Sequence, residues 1–311
     1  MSTIAPAVAA QKTPTQKTPT RSRLDRQWAG LAFLAPFLTV FALTILAPVL
    51  YSLHLSLFRN RLIGGNSFVG LDNYIQALSD PKFLEGLLRV SGFLFIQVPI
   101  MLALALVAAL AIDSRRLAGS PFFRVGIFLP YAVPGVVAVL MWGFMYSPRF
   151  GLAGNINDFL GFDLASPLTQ QWILVAIGNI VTWEFVGYNM LIFYSALRTI
   201  PEELYEAASI DGAGQMRTIW SIKLPALRGA IVIATIFSII GSYQLFNEPN
   251  ILRTSAPGLI QTYFTPNMYA YNLSFFGQQV NYAATIAIIM GVVTAVLAYV
   301  VQVRGNREAL R

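Results

Sequence analysis

Cysteine is absent from the 311-residue sequence, and histidine occurs once, as His54. Without cysteine the chain can form neither disulfides nor cysteine metal sites, and a single histidine excludes a histidine-based metal cluster. Charge is also scarce, because only 11% of the residues are Asp, Glu, Lys or Arg, against roughly 25% in an ordinary soluble domain. A water-soluble fold of this size would carry more charge, so the composition indicates a membrane protein.

The sequence also lacks the elements of an ATP-using enzyme. No stretch reads G-x-x-x-x-G-K-[ST], so the chain has no P-loop of its own. The sequence shows no motif that combines a nucleophile with a general base and a general acid. His54 lies near the end of an apolar run, where a histidine is more often an interfacial residue than a catalyst. We expect no catalytic residue, no metal site and no cofactor in this chain. If ATP drives it, a separate subunit hydrolyses the ATP.

Long apolar runs are abundant, since 56% of the residues are hydrophobic. A helix that crosses a membrane needs roughly 20 mostly apolar residues. Prolines fall within or near several runs, and membrane helices tolerate proline where neighbouring helices satisfy the freed backbone groups. The expected fold class is an all-α integral membrane protein with six transmembrane helices and both termini on one side. The predicted spans are about 28–50, 90–112, 125–148, 172–197, 229–247 and 282–303.

Lys and Arg are unevenly divided between the two sides of such a bundle. The N-terminal tail, the second and fourth loops and the C-terminus carry 15 of the 21, and the other six lie on the opposite side. Basic residues collect on the cytoplasmic side of membrane proteins, so both termini and the fourth loop are predicted to be cytoplasmic. The net charge of +7 is then an orientation signal, and we expect a lipid bilayer and no nucleic acid as a partner.

The chain is expected to divide into four segments. The pentapeptide QKTPT occurs twice near the N-terminus, and such low-complexity sequence is typical of disorder. The segments are a disordered basic cytoplasmic tail (1–26), a first transmembrane helix with an outer loop (27–86), a five-helix core (87–304) that contains a cytoplasmic loop (199–226), and a cytoplasmic C-terminus (305–311).

The loop at 199–226 is the most polar long segment in the second half of the chain. Thr199 and Glu202 have the spacing of a capping box, and Pro201 suits a first helical turn. These residues predict a helix over about 200–211.

Gly212 is a natural stop for that helix, because glycine adopts left-handed backbone angles without strain. A second short helix is predicted over about 213–221, and Pro225 should interrupt the chain before the next span. Two helices joined by a glycine turn at the membrane surface can dock on a partner protein. The alternative is an interfacial amphipathic pair with no partner.

The residues of this loop match a family pattern. Glu206-Ala207-Ala208 is followed by three residues, Gly212, nine residues and Ile222-Lys223-Leu224-Pro225. This resembles the cytoplasmic coupling loop of binding-protein-dependent ABC importer permeases, which reads E-A-A, three residues, G, nine residues, I-x-L-P. The resemblance implies a type I ABC importer permease architecture and a loop that contacts a separate ATPase. The residues expected to make that contact are Glu206, Ala207, Ala208, Asp211, Gly212, Ile222, Leu224 and Pro225.

A second stretch of the sequence resembles one particular group of these permeases. Residues 68–74 read FVGLDNY, which is similar to the F-V-G-L-x-N-Y segment of the first of two paired sugar permeases, the maltose-type membrane subunit. From spacing alone, Gly70 to Tyr74 would be a turn at a helix entry. Many of these permeases carry a T-x-G-G-P-type turn after the fifth span, and the corresponding region here, 250–258, lacks the double glycine. This departure weakens any transfer of substrate identity.

The resemblance, which covers the chain from about residue 28 to the last span, also implies partners. The chain would pair with a second, non-identical permease subunit in the bacterial cytoplasmic membrane. An ABC ATPase dimer, which binds ATP and Mg²⁺, would contact the cytoplasmic face, and an extracytoplasmic sugar-binding protein would deliver substrate. No Lys or Arg lies inside a span, which favours a neutral sugar, with an importer for a non-sugar solute as an alternative.

Glu184 is the only charged residue inside the fourth span. A carboxylate at membrane depth is costly and marks a functional site by default. Carboxylates and amides bind sugar hydroxyls, and aromatic rings cover apolar sugar faces. We therefore predict a substrate path lined by Glu184, Tyr188, Asn189, Tyr243, Gln244 and Asn247. The alternative is that these side chains form hydrogen bonds between helices of the bundle.

Two other classes of function are compatible with six spans. An intramembrane glutamate would suit an ion-coupled secondary transporter, although we find no inverted repeat between the halves. A membrane scaffold or receptor without transport is the third class. Copurification of an ATPase discriminates against both.

Overall fold

A computed structural model describes residues 23–61, 65–114, 117–162 and 166–309. The predicted tail and C-terminus therefore lie partly outside the described residues, at 1–22 and 310–311. The strands are β1 (Phe58–Arg61) and β2 (Gly65–Phe68). The helices are α1 (Arg23–Phe41), α2 (Ala47–Ser56), α3 (Asp72–Ser79), α4 (Pro81–Asp113), α5 (Ser120–Phe128), α6 (Gly135–Met145), α7 (Leu152–Leu160), α8 (Ile173–Leu197), α9 (Glu202–Ile210), α10 (Gln215–Thr218), α11 (Leu224–Ala226), α12 (Arg228–Tyr243), α13 (Asn247–Leu252), α14 (Pro266–Phe275) and α15 (Val280–Ala309).

The chain divides into two compact units, residues 1–51 and 52–311. In the first unit, α1 begins at Arg23, inside the segment predicted to be the tail, and passes through a π-helical turn at Ala42–Leu46 into α2. The apolar stretch Leu31–Ser56 is long enough to cross a membrane and covers most of the predicted first span.

Among the described residues, five helical segments are long and apolar enough to cross a membrane, and a bent pair can supply a sixth. The expected all-α membrane fold is thus confirmed. The five are Leu31–Ser56, Pro81–Asp113, Ile173–Leu197, Arg228–Leu252 and Val280–Gly305.

The predicted third span is the bent pair. The segments Ser120–Ala132 and Gly135–Met145 meet at 97°. Val133 between them has an extended backbone, with φ −76° and ψ 130°, because a residue that precedes a proline, here Pro134, is sterically kept out of the helical region. The sequence analysis treated the prolines of this run as tolerated within one membrane span, whereas Pro134 follows a sharp turn.

Helices α4, α8 and α12 pack together in the second unit. At the end of the bundle near the loop 199–226, the buried residues include Ala105, Ala109, Met190, Phe193 and Leu227. Small residues such as the two alanines let helix backbones approach closely, which is how membrane helices gain van der Waals contact. This packing fixes the end of α4 next to the loop.

The FVGLDNY stretch anchors the β-hairpin at the opposite end of α4. Asn73 is buried, and its side-chain amide donates to the carbonyls of Ser56 and Phe58, both at 2.9 Å. The Tyr74 and Ser56 hydroxyls are 2.6 Å apart. Gly70 has a φ of +55°, in the left-handed region. The stretch is therefore a turn at a helix entry that also holds the hairpin in place.

Asp80 connects α4 with α14 and α15 at this end. Its carboxylate accepts a hydrogen bond from the Lys82 backbone N–H at 2.9 Å, and the hydroxyls of Tyr269 and Tyr282 donate to it at 2.8 and 2.9 Å. Partial burial acts to raise the pKa of Asp80, but the hydrogen bonds from the tyrosines and from the backbone favour the charged form. Together they hold the pKa below its ordinary value of 3.8.

We expect Asp80→Asn to lower the thermal unfolding midpoint of the purified protein at neutral pH. The substitution removes the negative charge of the carboxylate, to which the hydroxyls of Tyr269 and Tyr282 donate hydrogen bonds. The folded-state pKa lies below the unfolded value, so the carboxylate contributes fully above about pH 4 and its contribution is lost only as pH falls through the folded pKa. The difference in midpoint from wild type should thus be equal at about pH 8 and about pH 5. A difference that shrinks over that interval would contradict this account. Asp72→Asn, an exposed change on α3, is the control and should have a smaller effect.

Candidate functional site

The first helix of the loop is α9, and its ends differ in how well the sequence predicted them. The Thr199 hydroxyl donates to the Ala196 carbonyl at 2.8 Å, and the N-cap position is Pro201, which has no capping side chain. The predicted capping box is therefore wrong: Thr199 follows the last turn of α8 directly and bonds back to it.

The predicted stop at Gly212 is confirmed. The residue has a φ of +72°, and the Ala213 N–H bonds to the Ala208 carbonyl five residues back, at 2.8 Å. The Gly212 N–H bonds to the Ser209 carbonyl at 3.1 Å. This arrangement satisfies the last carbonyls of α9 and reverses the chain.

The second helical segment is longer than predicted. It comprises α10, a π-helical turn at Ile219–Lys223, and α11. The Leu224 N–H bonds to the Ile219 carbonyl, five residues back, and Pro225 follows without an N–H to donate. The wide turn thus carries the helix through Pro225, and the interruption comes after it, before α12 starts at Arg228. Such π turns are frequent at functional sites.

The loop presents apolar side chains to its surroundings. Ile210 is 87% exposed, and Met216 and Trp220 are about two-thirds exposed. A group of large exposed apolar residues on an otherwise polar segment marks a docking surface. Of the eight predicted contact residues, Glu206, Ala207, Asp211, Gly212 and Pro225 are exposed, and Ala208, Ile222 and Leu224 are half-buried.

Lys223 connects the loop to the end of α4. Its Nζ lies 2.5 Å from a carboxylate oxygen of Asp113, the last residue of α4, and 5.6 Å from the centre of the Tyr205 ring on α9. Burial raises the pKa of the Tyr205 hydroxyl, and the Asp113 charge adds to the shift. A cleft of about 790 Å³ surrounds these three residues and extends along Glu206. The sequence analysis missed this group.

A second cavity, of about 430 Å³, lies between α4, α8 and α12. Four of the six predicted path residues line it: Tyr188, Asn189, Gln244 and Asn247. The sequence analysis did not select the other polar residues at its wall, which are Gln97, Tyr131, Ser238, Ser242 and Glu248. Gln97 could have been found as the single amide in the predicted second span.

The cavity wall combines an aromatic pair with amide side chains. The rings of Tyr131 and Tyr188 are stacked, with centres 4.9 Å apart. Within the described residues, Oε1 of Gln97 and Oδ1 of Asn189 are buried and have no hydrogen-bond partner. These two oxygens are closed off from the cavity, whereas Gln244 and Asn247 are exposed residues of its lining, and their amides suit a ligand that donates hydrogen bonds.

The other two predicted path residues lie outside the cavity lining. Glu184 is 7% exposed, and a Cβ added at Gly135 would come within 3.0 Å of its Oε1. Its Oε2 has no hydrogen-bond partner among the described residues. The Tyr243 hydroxyl is 3.0 Å from the Ser91 hydroxyl, in a contact between α12 and α4. The roles of all six residues stay predictions.

Comparison with known proteins places the chain in a family. Residues 74–307 match the family described as binding-protein-dependent transport system inner membrane component. The lactose transport system permease protein LacF of Rhizobium radiobacter is 33% identical over 291 residues, covering 91% of this chain and 96% of LacF. The diacetylchitobiose uptake system permease protein NgcF of Streptomyces coelicolor is 32% identical over 300 residues, covering 91% and 84%.

Solved structures show the same fold. A chain of a bacterial ABC transporter involved in import of the acidic polysaccharide alginate superposes with a TM-score of 0.79 at 19% identity, covering 91% of this chain and 97% of that chain. With most of its length matched by the family model and by these relatives, the chain belongs to the membrane components of binding-protein-dependent ABC transport systems.

Proposed function

We propose that the chain is the permease subunit of an ATP-driven carbohydrate importer and forms part of its translocation path. The observation that carries the proposal is the cavity wall of stacked tyrosines and exposed amide side chains, because sugar rings present apolar faces and form hydrogen bonds through many hydroxyls. The relatives support it, since their names specify lactose and diacetylchitobiose.

The charge of the cavity favours a neutral sugar. Its described lining includes Glu248 and contains neither Lys nor Arg. An anionic solute would be repelled by a carboxylate and would find no cation to pair with. The alginate transporter therefore shares the fold of this chain, but its acidic substrate is not proposed for this chain. The proposed substrate is an uncharged mono- or oligosaccharide.

The loop with its exposed apolar residues is the proposed ATPase contact. An ABC ATPase dimer would bind ATP and Mg²⁺ and hold the loop on the cytoplasmic side. A second, non-identical permease would complete the path, and an extracytoplasmic binding protein would deliver the sugar. ATPase closure would then move the bundle between inward- and outward-facing states, as ligand-driven equilibria between two conformations do.

The experiment is uptake of labelled lactose, maltose, trehalose and diacetylchitobiose by cells that contain the chain with its partner subunits, compared with cells that lack it. Uptake of at least one sugar that requires this chain, and that stops when ATP is depleted, is the expected result. Uptake that follows an ion gradient with ATP depleted would contradict the proposal and favour a secondary transporter.

Glu184 supplies a sharper test of the path. We expect Glu184→Gln to lower sugar uptake by about fivefold while the subunits still copurify, because the amide places a donor where the carboxyl group has an acceptor, and a lost hydrogen bond costs about 1 kcal/mol. Asp158→Asn, an exposed change on α7, is the matched control and should transport normally. Wild-type uptake by Glu184→Gln would exclude Glu184 from the path, and loss of the assembled complex would show a role in helix packing instead.

A further inference from the structure

The contact between Asp113 and Lys223 joins two parts of the chain that are 110 residues apart in sequence. The two side chains are only 9% and 13% exposed. A charge pair shielded in this way resists separation, because either charge alone would be left buried without a partner. The end of α4 and the loop are therefore fastened together.

Three helical elements meet at the Lys223 ammonium. Asp113 ends α4, Tyr205 belongs to α9, and Lys223 itself ends the π turn at Ile219–Lys223. The extra residue of a π turn rotates the following side chains by roughly 100° relative to a continuous α-helix. The turn thus sets the direction in which Lys223 points, and a movement of α9 or of the π turn acts on the same ammonium.

Helix α4 leads from this contact to the cavity. It is 33 residues long and contributes Phe93, Gln97 and Met101 to the cavity lining. Between Asp113 and Gln97 the helix contains Pro99, which removes one backbone hydrogen bond, so a displacement of Asp113 reaches Met101 first and Gln97 and Phe93 through the proline turn. The loop and the cavity wall are then connected by the ion pair and by α4, which stays helical through Pro99.

We infer that Asp113, Lys223 and Tyr205 form the link that transmits loop movement to α4, and that breaking the ion pair uncouples ATP hydrolysis from transport while the ATPase stays docked. This inference rests on the proposed function. Asp113 and Lys223 are positioning residues: they lie away from the cavity lining and act on it through α4. The exposed residues around Gly212 hold the ATPase, and the ion pair carries its movement inward.

The test uses the complete transporter, with its ATPase and binding protein, in proteoliposomes. The sugar used is one that wild type takes up in the uptake experiment above. The readout for each variant is the amount of this sugar transported per ATP hydrolysed. We expect Lys223→Met and Asp113→Asn each to lower this ratio by about fivefold or more, within the ordinary range of coupling between sites. The double variant Asp113→Lys with Lys223→Glu, which reverses the pair, should return the ratio to within about twofold of wild type.

Glu85→Gln provides the control, because Glu85 pairs with Arg89 near the other end of α4 and is 54% exposed. It should keep the wild-type ratio. The inference is overturned if the single variants also keep that ratio. It is equally overturned if they lose the ATPase from the complex and the reversed pair does not restore it, because the pair would then only hold the fold of the loop. Absence of ATP-dependent uptake in wild type would overturn the proposed function and this inference together.

Discussion

Replacing Gly212 with valine is expected to reduce recovery of the ATPase with the chain by more than about tenfold, because the residue occupies a left-handed conformation that a β-branched side chain adopts only under strain. The φ of +72° is set by the turn that ends α9 and reverses the chain. Apart from its two chain neighbours, no described residue has an atom within 4 Å of a Cβ added at Gly212. The effect of the substitution therefore comes from the backbone and not from a collision.

Gly214 is the matched control for this change. It lies two residues further along the same exposed turn, has a φ of −69°, and also has open space around an added Cβ. Gly214→Val should retain the ATPase, since its backbone angles suit any residue. Equal losses with both variants would mean that bulk at the turn, and not the left-handed conformation, governs the contact. If Gly212→Val retains the ATPase, the turn at Gly212 is not needed for docking.

The second large effect is expected at Gly187, where α8 passes against α5. A Cβ at Gly187 would lie 2.1 Å from the Ile127 carbonyl oxygen and 2.7 Å from the Phe128 Cα. Both are backbone atoms and cannot rotate away. We expect Gly187→Val to cost at least about 3 kcal/mol of stability, the upper end of ordinary overpacking costs, which would be measured as a lower thermal unfolding midpoint in detergent.

Gly126→Val on α5 is the control for this experiment, because no described residue beyond its own stretch of helix has an atom within 4 Å of a Cβ at that position. Both changes add the same side chain to neighbouring helices, so membrane insertion and helix propensity affect them similarly. A large difference between the two midpoints would establish the close approach. Equal midpoints would contradict the packing of α8 on α5.

The positions of the membrane spans could be predicted from the sequence, because each span depends on the composition of its own segment. Apolar runs bounded by charged residues predicted the five long helices, but not all of their ends, since the helix Pro81–Asp113 begins nine residues before the predicted 90–112. The bend at Val133 did not follow, since Pro134 within an apolar run is compatible both with a tolerated kink and with a sharp turn. The packing of neighbouring segments decides between these outcomes.

The loop was predictable where its structure is local. The stop at Gly212 depends on one residue and its immediate neighbours, and it was placed correctly. The Thr199 hydroxyl could either cap the start of α9 or donate to a carbonyl at the end of α8. It donates to the Ala196 carbonyl of α8. The π turn at Ile219–Lys223 directly precedes Leu224 and Pro225, and neither periodicity nor spacing indicated it.

Contacts between distant residues could not be derived from one sequence. Asp113 and Lys223 each look like an ordinary boundary charge at a membrane surface, and only the fold brings them together. Tyr243 and Gln244 are adjacent in sequence, yet the tyrosine contacts Ser91 and the glutamine lines the cavity. Tyr243 is the last residue of α12 and Gln244 follows it, so the exact end of the helix decides where each side chain lies, and composition alone does not fix that end.

The central claim is that this chain transports by coupling its loop to a separate ATPase. The most direct measurement is to purify the tagged chain in detergent, as wild type and as Gly212→Val, and to identify the proteins recovered with it by mass spectrometry. An ABC ATPase recovered with wild type and depleted from the variant is the predicted result. No ATPase with either form, together with transport that follows an ion gradient, would contradict the account.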